Sequence, residues 1–386
     1  MGVKIFPKSE YELRIRRAKE LMERDGLDAI VAAHDKNFEY LTAGWRLGFD
    51  PIGYMIDETI APVRPGAMIV PLDGDPVALV PRLFTRTKER GWVDDVRGWY
   101  GLPFKMGYLM DELKEMGLSK AKIGMELGEE QHLFLPYVGV RKMMKEMSDA
   151  SFVASDIFWE LRRRKTRAEA DKIRRACEIT GKALDEFFSV AEPNMKARDA
   201  IRTLFTLYMD HGATRPSFPP NLGLDLDTET LKPGKEYCFD TAAIVDGYTA
   251  DICRVAVVGR ATQHQRDLYD KCVQLNDTVR KASRAGVKTR DVWDVYIETL
   301  KELDASGAGS WRSTPDRIGH GFGLMGNEPP TLGPNDVHVL EVGNVHCVEP
   351  GLGTATEYFY IEENVWVTES GGELLSSSVP RELWEI

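Results

Sequence analysis

The run from Glu236 to Gly259 constrains this chain more than any other stretch. It reads as two β-strands, rich in Val, Ile, Tyr and Phe, joined by the two-residue turn Asp246-Gly247. That turn sets the register. Residues whose numbers total 493 face each other, so Asp240 faces Cys253, and Asp251 lies two positions from Cys253 on the same face. Asp240 and Asp251 are therefore diagonal neighbours on one side of the sheet, with Cβ atoms on the order of 7 Å apart. Two carboxylates aimed the same way from an apolar hairpin repel each other and are costly to bury. A bound cation relieves that cost, and so does an outer face on which both acids are solvated. The hairpin alone leaves both arrangements open.

The surrounding chain has ordinary globular composition. Its 386 residues, 43% hydrophobic and 29% charged, are enough for two or three domains and a sizeable core. The net charge of −11, with no basic stripe interleaved with aromatics, disfavours nucleic-acid and anionic-membrane partners. No apolar run reaches membrane-spanning length, and the N-terminus lacks the core of a signal peptide. Phe6 stands where a myristoylation signal at Gly2 wants Ser or Thr. Five cysteines without zinc-finger spacing fit reduced thiols in a cytoplasmic protein. Cys238 and Cys253, beside the acid-bearing positions, read as small core residues.

Residues 1–154 are expected to form an α/β domain. Ser9-Glu10-Tyr11-Glu12 reads as a capping box opening an amphipathic helix that Gly26 ends. Strand patterns follow at Leu27–Ala33, Met68–Pro71, Val77–Val80 and Lys122–Met125, with a helix from Met110 to Met116. His34 and Asp35, at a strand end, are candidates for a ligand site, although a structural role for such a histidine is the commoner outcome. The stretch from Ser148 to Lys165 reads as a linker, its run Arg162–Lys165 as a solvated helix face.

Residues 155–386 carry an internal echo. Asn194-Met-Lys-Ala-Arg-Asp199 resembles Gly286-Val-Lys-Thr-Arg-Asp291. Each follows a long helix, at 167–190 and about 263–284, opened by the capping boxes Thr166/Glu169 and Thr262/Gln265. Each precedes a strand pair carrying two acids, Asp240 and Asp251 in the first half, Glu349 and Glu362 in the second. A duplicated helix–helix–hairpin unit, with a site on its pseudo-twofold axis, accounts for that order.

His320, between glycines in Ile318-Gly-His-Gly-Phe-Gly323, is free to point into such a site. Four carboxylates and one imidazole make an oxygen-rich ligand set suited to Mn²⁺, Fe²⁺, Co²⁺ or Zn²⁺ rather than to a thiolate-preferring ion. Five ligands with shared carboxylates are the usual provision for two cations about 3.5–4 Å apart.

With these residues in place, the region 155–386 resembles the pita-bread metallohydrolases: prolidase, aminopeptidase P, methionine aminopeptidase and relatives such as creatinase. Asp240, Asp251 and the trailing Arg254 match the family's two-aspartate hairpin, Gly319–Gly323 its histidine loop, and Val348–Gly351 and Ile361–Glu363 its glutamate motifs. Asn37–Ala43 and its domain resemble the creatinase/prolidase N-terminal domain. The resemblance implies an α/β N-terminal domain joined to an α+β pita-bread domain, and a homodimer. It implies two divalent ions held by Asp240, Asp251, His320, Glu349 and Glu362, with Glu349 as general base to a metal-bridging hydroxide that attacks a small amide or dipeptide substrate. The family's proline-specific members carry two further histidines, and here those places hold Asn327, kept as a catalytic hydrogen-bond donor, and Gly223.

Other side chains are candidates for the substrate site. His338 and His346 lie in the right region, although His346, three residues before Glu349 on one strand, should face away. Asp225 and Asp227 are either contacts for a cationic substrate or a solvated turn, and Trp45, Arg46 and Tyr54 are candidates from a partner's N-terminal domain. The leading reading is a Xaa-Pro dipeptidase-like hydrolase. The alternatives are a specialised non-peptide enzyme, by ectoine-hydrolase-like ring opening or dimethylsulfoniopropionate-lyase-like elimination, and a binding protein on the same scaffold, which the complete ligand set argues against.

Overall fold

A computed structural model describes residues 4–45, 65–101, 104–218, 220, 222–303, 315–354 and 356–386. The chain divides into two compact units, Met1–Arg162 and Arg163–Ile386.

The first unit is built on a six-stranded mixed sheet. Its strands are β1 (Ala29–Ala32), β2 (Ala67–Pro71), β3 (Val77–Pro81), β4 (Asp95–Trp99), β5 (Lys122–Met125) and β6 (Ser151–Ala154). They lie in the order β4-β3-β2-β1-β5-β6, with β1, β5 and β6 parallel and β2 antiparallel to both neighbours. Helices α1 (Lys8–Asp25), α2 (Asp35–Leu41), α3 (Gly107–Glu115), α4 (Tyr137–Glu146) and α5 (Ile157–Arg163) accompany it. Val31, Ile69, Leu79, Ile123 and Met125 form the centre of one core with Leu109, Leu113 and Met143 of α3 and α4.

Three sequence expectations for this unit and its border are corrected. Helix α1 starts at Lys8 behind Pro7, so Ser9 lies inside the first turn and no side chain caps it. Proline's fixed φ suits the boundary position, and Glu10 is drawn inward instead, to accept from Arg14 Nε at 3.0 Å. The expected linker is occupied by β6 and α5. The run Arg162–Lys165 is solvated only in part: Arg164 is exposed, but Arg162 and Lys165, three residues apart, are both buried. Each buried cation has a polar partner: Arg162 Nη1 donates to Asn37 Oδ1 at 3.0 Å, and Lys165 Nζ to Glu328 Oε2 at 3.0 Å. Gly26 does end α1, with φ 62° and its N–H returned to Glu23 and Met22.

The second unit opens with α6 (Arg167–Val190) and α7 (Ala197–Asp210), then β7 (Arg215–Pro216), β8 (Glu236–Thr241), β9 (Ala243–Val245), β10 (Tyr248–Thr249) and β11 (Ile252–Val257). Its second half has α8 (Gln263–Ala282), α9 (Thr289–Glu302), β12 (His320–Gly321), β13 (Glu328–Thr331), β14 (Val345–Val348), β15 (Gly351–Gly353), β16 (Tyr358–Tyr360), β17 (Glu363–Thr368), β18 (Gly371–Leu374) and β19 (Trp384–Glu385). Both expected capping boxes are formed, at Thr166 and Thr262. The hairpin keeps one register throughout, Tyr248 opposite Val245 and Cys253 opposite Asp240. Asp246 (φ 50°) and Gly247 (φ 95°) supply the positive φ pair that a type I′ turn needs.

The duplication is visible in the backbone. Asn194 N–H bonds Leu231 O, Leu231 N–H bonds Met195 O, and Ala197 N–H bonds Glu229 O. Gly286, Leu340, Val287, Thr289 and His338 repeat these three bonds in the same order. The same alignment pairs Leu231, Gly234, Cys238 and Asp240 with Leu340, Gly343, Cys347 and Glu349, each pair 109 positions apart. The acids at the ends of β8 and β14 are thus repeat equivalents.

Lys165 and Glu328 are each 1% exposed at the side chain. Removing one partner strands a buried charge, so Lys165→Met is expected to lower stability by about 3–5 kcal/mol. The double variant K165M/E328Q, which keeps an acceptor for the Met325 N–H now bonded to Glu328, should regain much of that loss in urea unfolding. Equal instability of the single and double variants would contradict this. Among the described residues no helix is long and apolar enough to cross a membrane.

Candidate metal centre

Each of the five sequence-predicted ligands sits at the end of a strand in the second unit. Asp240 is the penultimate residue of β8, and Asp251 immediately precedes β11. Asp251 is locked by Asn364, whose Oδ1 accepts the Asp251 N–H at 3.0 Å and whose Nδ2 donates to the Asp251 carbonyl. Tyr360 Oη donates to Asp240 Oδ2 at 2.8 Å.

His320 opens β12 between glycines for a steric reason. A Cβ at Gly319 would lie 2.1 Å from the Cys347 carbonyl oxygen, and one at Gly321 2.4 Å from that of Pro329. The ring's Nδ1 is 3.0 Å from the Gly321 carbonyl oxygen. A carbonyl can only accept, so Nδ1 carries the proton and Nε2 presents its lone pair. Nε2 lies 3.6 Å from Asp251 Oδ2 and 3.8 Å from Glu349 Oε1. Burial pushes this imidazole down to about 4, with a further push from the Arg317 cation, so it is neutral at pH 7. A buried neutral imidazole aimed at carboxylates is in the protonation state that a metal ligand requires.

Glu349 follows β14 and holds its N–H on Ile318 O at 2.8 Å. Its side chain is 20% exposed, more open than those of Asp251 and His320. Glu362 precedes β17, is 1% exposed, and its Oε2 has no hydrogen-bond partner. The trailing Arg254 does not neutralise it. Arg254 Nη1 takes the backbone carbonyls of Cys253 and Glu362 at 2.8 and 2.9 Å, and Nη2 pairs with Glu363 Oε1 at 3.1 Å. Arg381 Nε also meets Glu363, at 2.9 Å. Of two adjacent glutamates, Glu363 is thus compensated by two arginines and Glu362 is left facing the other acids.

The electrostatics follow from this crowding. Burial raises Asp251 well above the ordinary carboxylate range, and the charges of Asp240 and Glu349 raise it further. Glu362 is raised likewise, by burial and then by Asp251, Asp240 and Glu349. The acids are therefore in one another's field, and their burial disfavours full ionisation without a cation. Ligand atoms of Asp251, His320, Cys347 and Glu362 all lie within 4.8 Å of one another.

Three residues of this site escaped sequence reasoning. Cys347 lies two positions before Glu349 and so on the same strand face; the constant repeat offset that pairs it with Cys238 was the available signal. Tyr360 stands in the same relation to Glu362. Arg317 brings Nε to 3.5 Å from Glu349 Oε1 and donates from Nη1 to Asn327 Oδ1 at 2.5 Å. Nothing short of the folded histidine loop announces that contact.

The other candidates fall elsewhere. His346 is fully buried on the opposite strand face, as the spacing implied, and burial pushes it down to about 3. His338 is exposed and paired with Asp336 at 2.6 Å. Asp225 closes a turn by accepting from Asp227 N and Thr228 N, and Asp227 pairs with Arg198. His34 caps α2 through Lys36 N at 3.1 Å, the structural role. Trp45 is wholly buried against Phe38 and presents nothing to a site, because its ring fills the first unit's interior. Arg46 and Tyr54 lie outside the described residues. Gly223 holds φ 65° and offers no side-chain donor.

Comparison with known proteins gave matches to both units of the chain. A profile described as metallopeptidase family M24 matches residues 171–369, and one described as creatinase/prolidase N-terminal domain matches residues 14–164. The Xaa-Pro dipeptidase of Pyrococcus furiosus is 26% identical over 382 residues, covering 95% of this chain and 98% of its own. That of Pyrococcus horikoshii is 22% identical, covering 95% and 97%. Among solved structures, a Pyrococcus horikoshii dipeptidase superposes with a TM-score of 0.80 at 23% identity, covering 97% of this chain and all of its own. A Xaa-Pro dipeptidase from Bacillus anthracis does so with 0.79 at 21%, with the same coverage.

Proposed function

We propose, from the premise that this chain belongs to metallopeptidase family M24, that it hydrolyses a Xaa-Pro dipeptide at a centre of two divalent ions held by Asp240, Asp251, His320, Glu349 and Glu362. The observation that carries the reading is a set of carboxylates in mutual repulsion beside an imidazole whose lone pair faces them. The donor set fits such ions, because Glu362 Oε2 is buried with no donor and His320 Nε2 is unprotonated. When bound, divalent ions would acidify a water molecule and polarise the scissile carbonyl.

The chain's own groups would supply the rest. Glu349, partly open, would accept the proton of the attacking water and return it to the leaving nitrogen. Arginine only donates, so the Asn327 atom facing Arg317 is Oδ1, and the Nδ2 hydrogens remain for the substrate carbonyl. Asp251 would be kept in place by Asn364, and Asp240 by Tyr360. The family resemblance supports a homodimer.

A second reading, a specialised non-peptide substrate such as a cyclic amide or a zwitterion, is favoured by one observation: Asn327 and Gly223 stand where proline-specific relatives have histidine. One experiment separates the two. Chelator-stripped protein reloaded with Mn²⁺, Co²⁺, Zn²⁺ or Fe²⁺ is expected to cleave Xaa-Pro dipeptides and to be inactive before loading. No turnover of any Xaa-Pro dipeptide with all four ions, alongside turnover of a small cyclic amide or sulfonium zwitterion, would replace the first reading with the second. Failure to bind any of the ions would sink both.

A further inference from the structure

We propose that Cys347 is a sulfur ligand in this centre and that it biases the site toward thiophilic ions, Zn²⁺ over Mn²⁺. The inference rests on the reading of the site as a metal centre and adds a donor of a different class to its carboxylates and imidazole.

Geometry carries it. The Cys347 sulfur lies within 4.8 Å of ligand atoms of Asp251, His320 and Glu362, and all four residues are buried. Strand alternation puts Cys347 on the Glu349 face of β14 and turns His346 away. The His320 N–H, 3.4 Å from Sγ, ties the sulfur to the histidine loop. Within the same cluster the buried Glu362 Oε2 has no hydrogen-bond partner.

The other thiols show what an ordinary buried cysteine does in this fold. Cys272 is 3.5 Å from the Phe359 carbonyl oxygen, Cys238 3.5 Å from that of Tyr358, and Cys253 3.9 Å from that of Arg254. Cys177 meets the amide oxygen of Asn364 at 3.2 Å. Cys177 and Cys272 face neutral oxygens, whereas Cys253, opposite Asp240 in the hairpin, also feels the charges of Asp240 and Glu362. Cys347 lies among carboxylates and an imidazole, its thiol facing the Glu362 carboxylate, where its sulfur can bond a cation.

The chemistry is balanced without a further reagent. On binding, the metal–sulfur bond forms and the thiol proton passes to water. Sulfur, nitrogen and carboxylate donors together suit Zn²⁺, whereas a purely oxygen-rich set suits Mn²⁺ as well.

The test reads the metal rather than catalysis. Apo protein loaded with Co²⁺ should show a near-ultraviolet sulfur-to-cobalt charge-transfer band, and Zn²⁺-loaded protein a sulfur scatterer at about 2.3 Å by X-ray absorption. Both should vanish in Cys347→Ser and persist in the double variant C238S/C253S. Because loss of even an outer-shell partner costs about 10–100-fold in metal affinity, the preference for Zn²⁺ over Mn²⁺ in competition should fall in C347S by at least the lower end of that range. If C347S does not fold, a sulfur signal in the unsubstituted protein that survives in C238S/C253S still supports the proposal. Metal bound through oxygen and nitrogen alone overturns it while leaving the hydrolase reading intact, and so does a sulfur signal that persists in C347S. No metal bound at all overturns both.

Discussion

Glu349→Gln is expected to lower kcat on a Xaa-Pro dipeptide by about 10²–10⁴-fold, the usual contribution of a positioned general base. Glutamine keeps the volume and a coordinating oxygen but cannot take a proton at neutral pH. Glu349 is suited to the role by position. Its carboxylate lies at the rim of the acid cluster, partly exposed, 3.8 Å from His320 Nε2 and 3.5 Å from Arg317 Nε. Asp251 and Glu362, both deeper, have no comparable access to an incoming substrate. KM should change less than kcat, because the lost proton transfer belongs to the transition state. Circular dichroism should be unchanged. A variant that keeps more than a tenth of wild-type kcat while folded and metal-loaded would remove Glu349 from the base role.

In the metal-free protein the acid cluster should cost stability as pH rises above the ordinary carboxylate range, and metal should restore it. Two opposing groups set the sign. Asp251 and Glu362 have folded pKa values raised by burial and mutual charge. Above the ordinary carboxylate value, the folded state therefore holds protons that the unfolded chain has released. Each further rise in pH then penalises the fold, by up to about 1.4 kcal/mol per pH unit per group, until those protons are lost. His320 acts the other way. Lowered to about 4, it leaves the unfolded state binding the extra proton between about 4 and 6.5, so its contribution to stability grows with pH there. His346, lowered to about 3, has the same sign. Above about 6.5 the histidine contribution is complete, and Glu126 of the first unit, raised by burial to about 7, adds to the sign of the acids up to that pH. Melting temperature of chelator-treated protein should therefore lose more with rising pH in the wild type than in D251N/E362Q. A divalent ion at a hundred times its Kd adds about 2.7 kcal/mol, or roughly 5–10 °C for a unit of this size. Identical pH profiles for the wild type and D251N/E362Q, with no response to added ions, would show that these acids are not in one cluster.

Much of this site is legible in the chain because it is encoded locally. The Asp246-Gly247 turn requires positive φ at two residues, and once it closes, every pairing from Val245–Tyr248 to Glu236–Val257 follows. The capping boxes at Thr166 and Thr262 are four-residue features and form as written. The one at Ser9 fails because Pro7, two residues earlier, is the better boundary. Charge patterns carry less information. The basic run at 162–165 reads as solvent-facing, yet Lys165 is buried on Glu328, a partner far along the chain that no local rule identifies.

The same division holds at the centre from which the chain was read. By itself the sequence determined the register of the aspartate hairpin, the order of acids and histidine, and the family to which the chain belongs, because turn geometry and strand alternation act over a few residues. Only the tertiary structure decided which of Glu362 and Glu363 keeps a bare carboxylate oxygen, that Arg317 reaches Glu349, and that the Cys347 sulfur stands among the ligand atoms. Those outcomes depend on strands remote in sequence meeting at one place, where burial and the field of neighbouring charges, rather than residue type, set what each side chain can do.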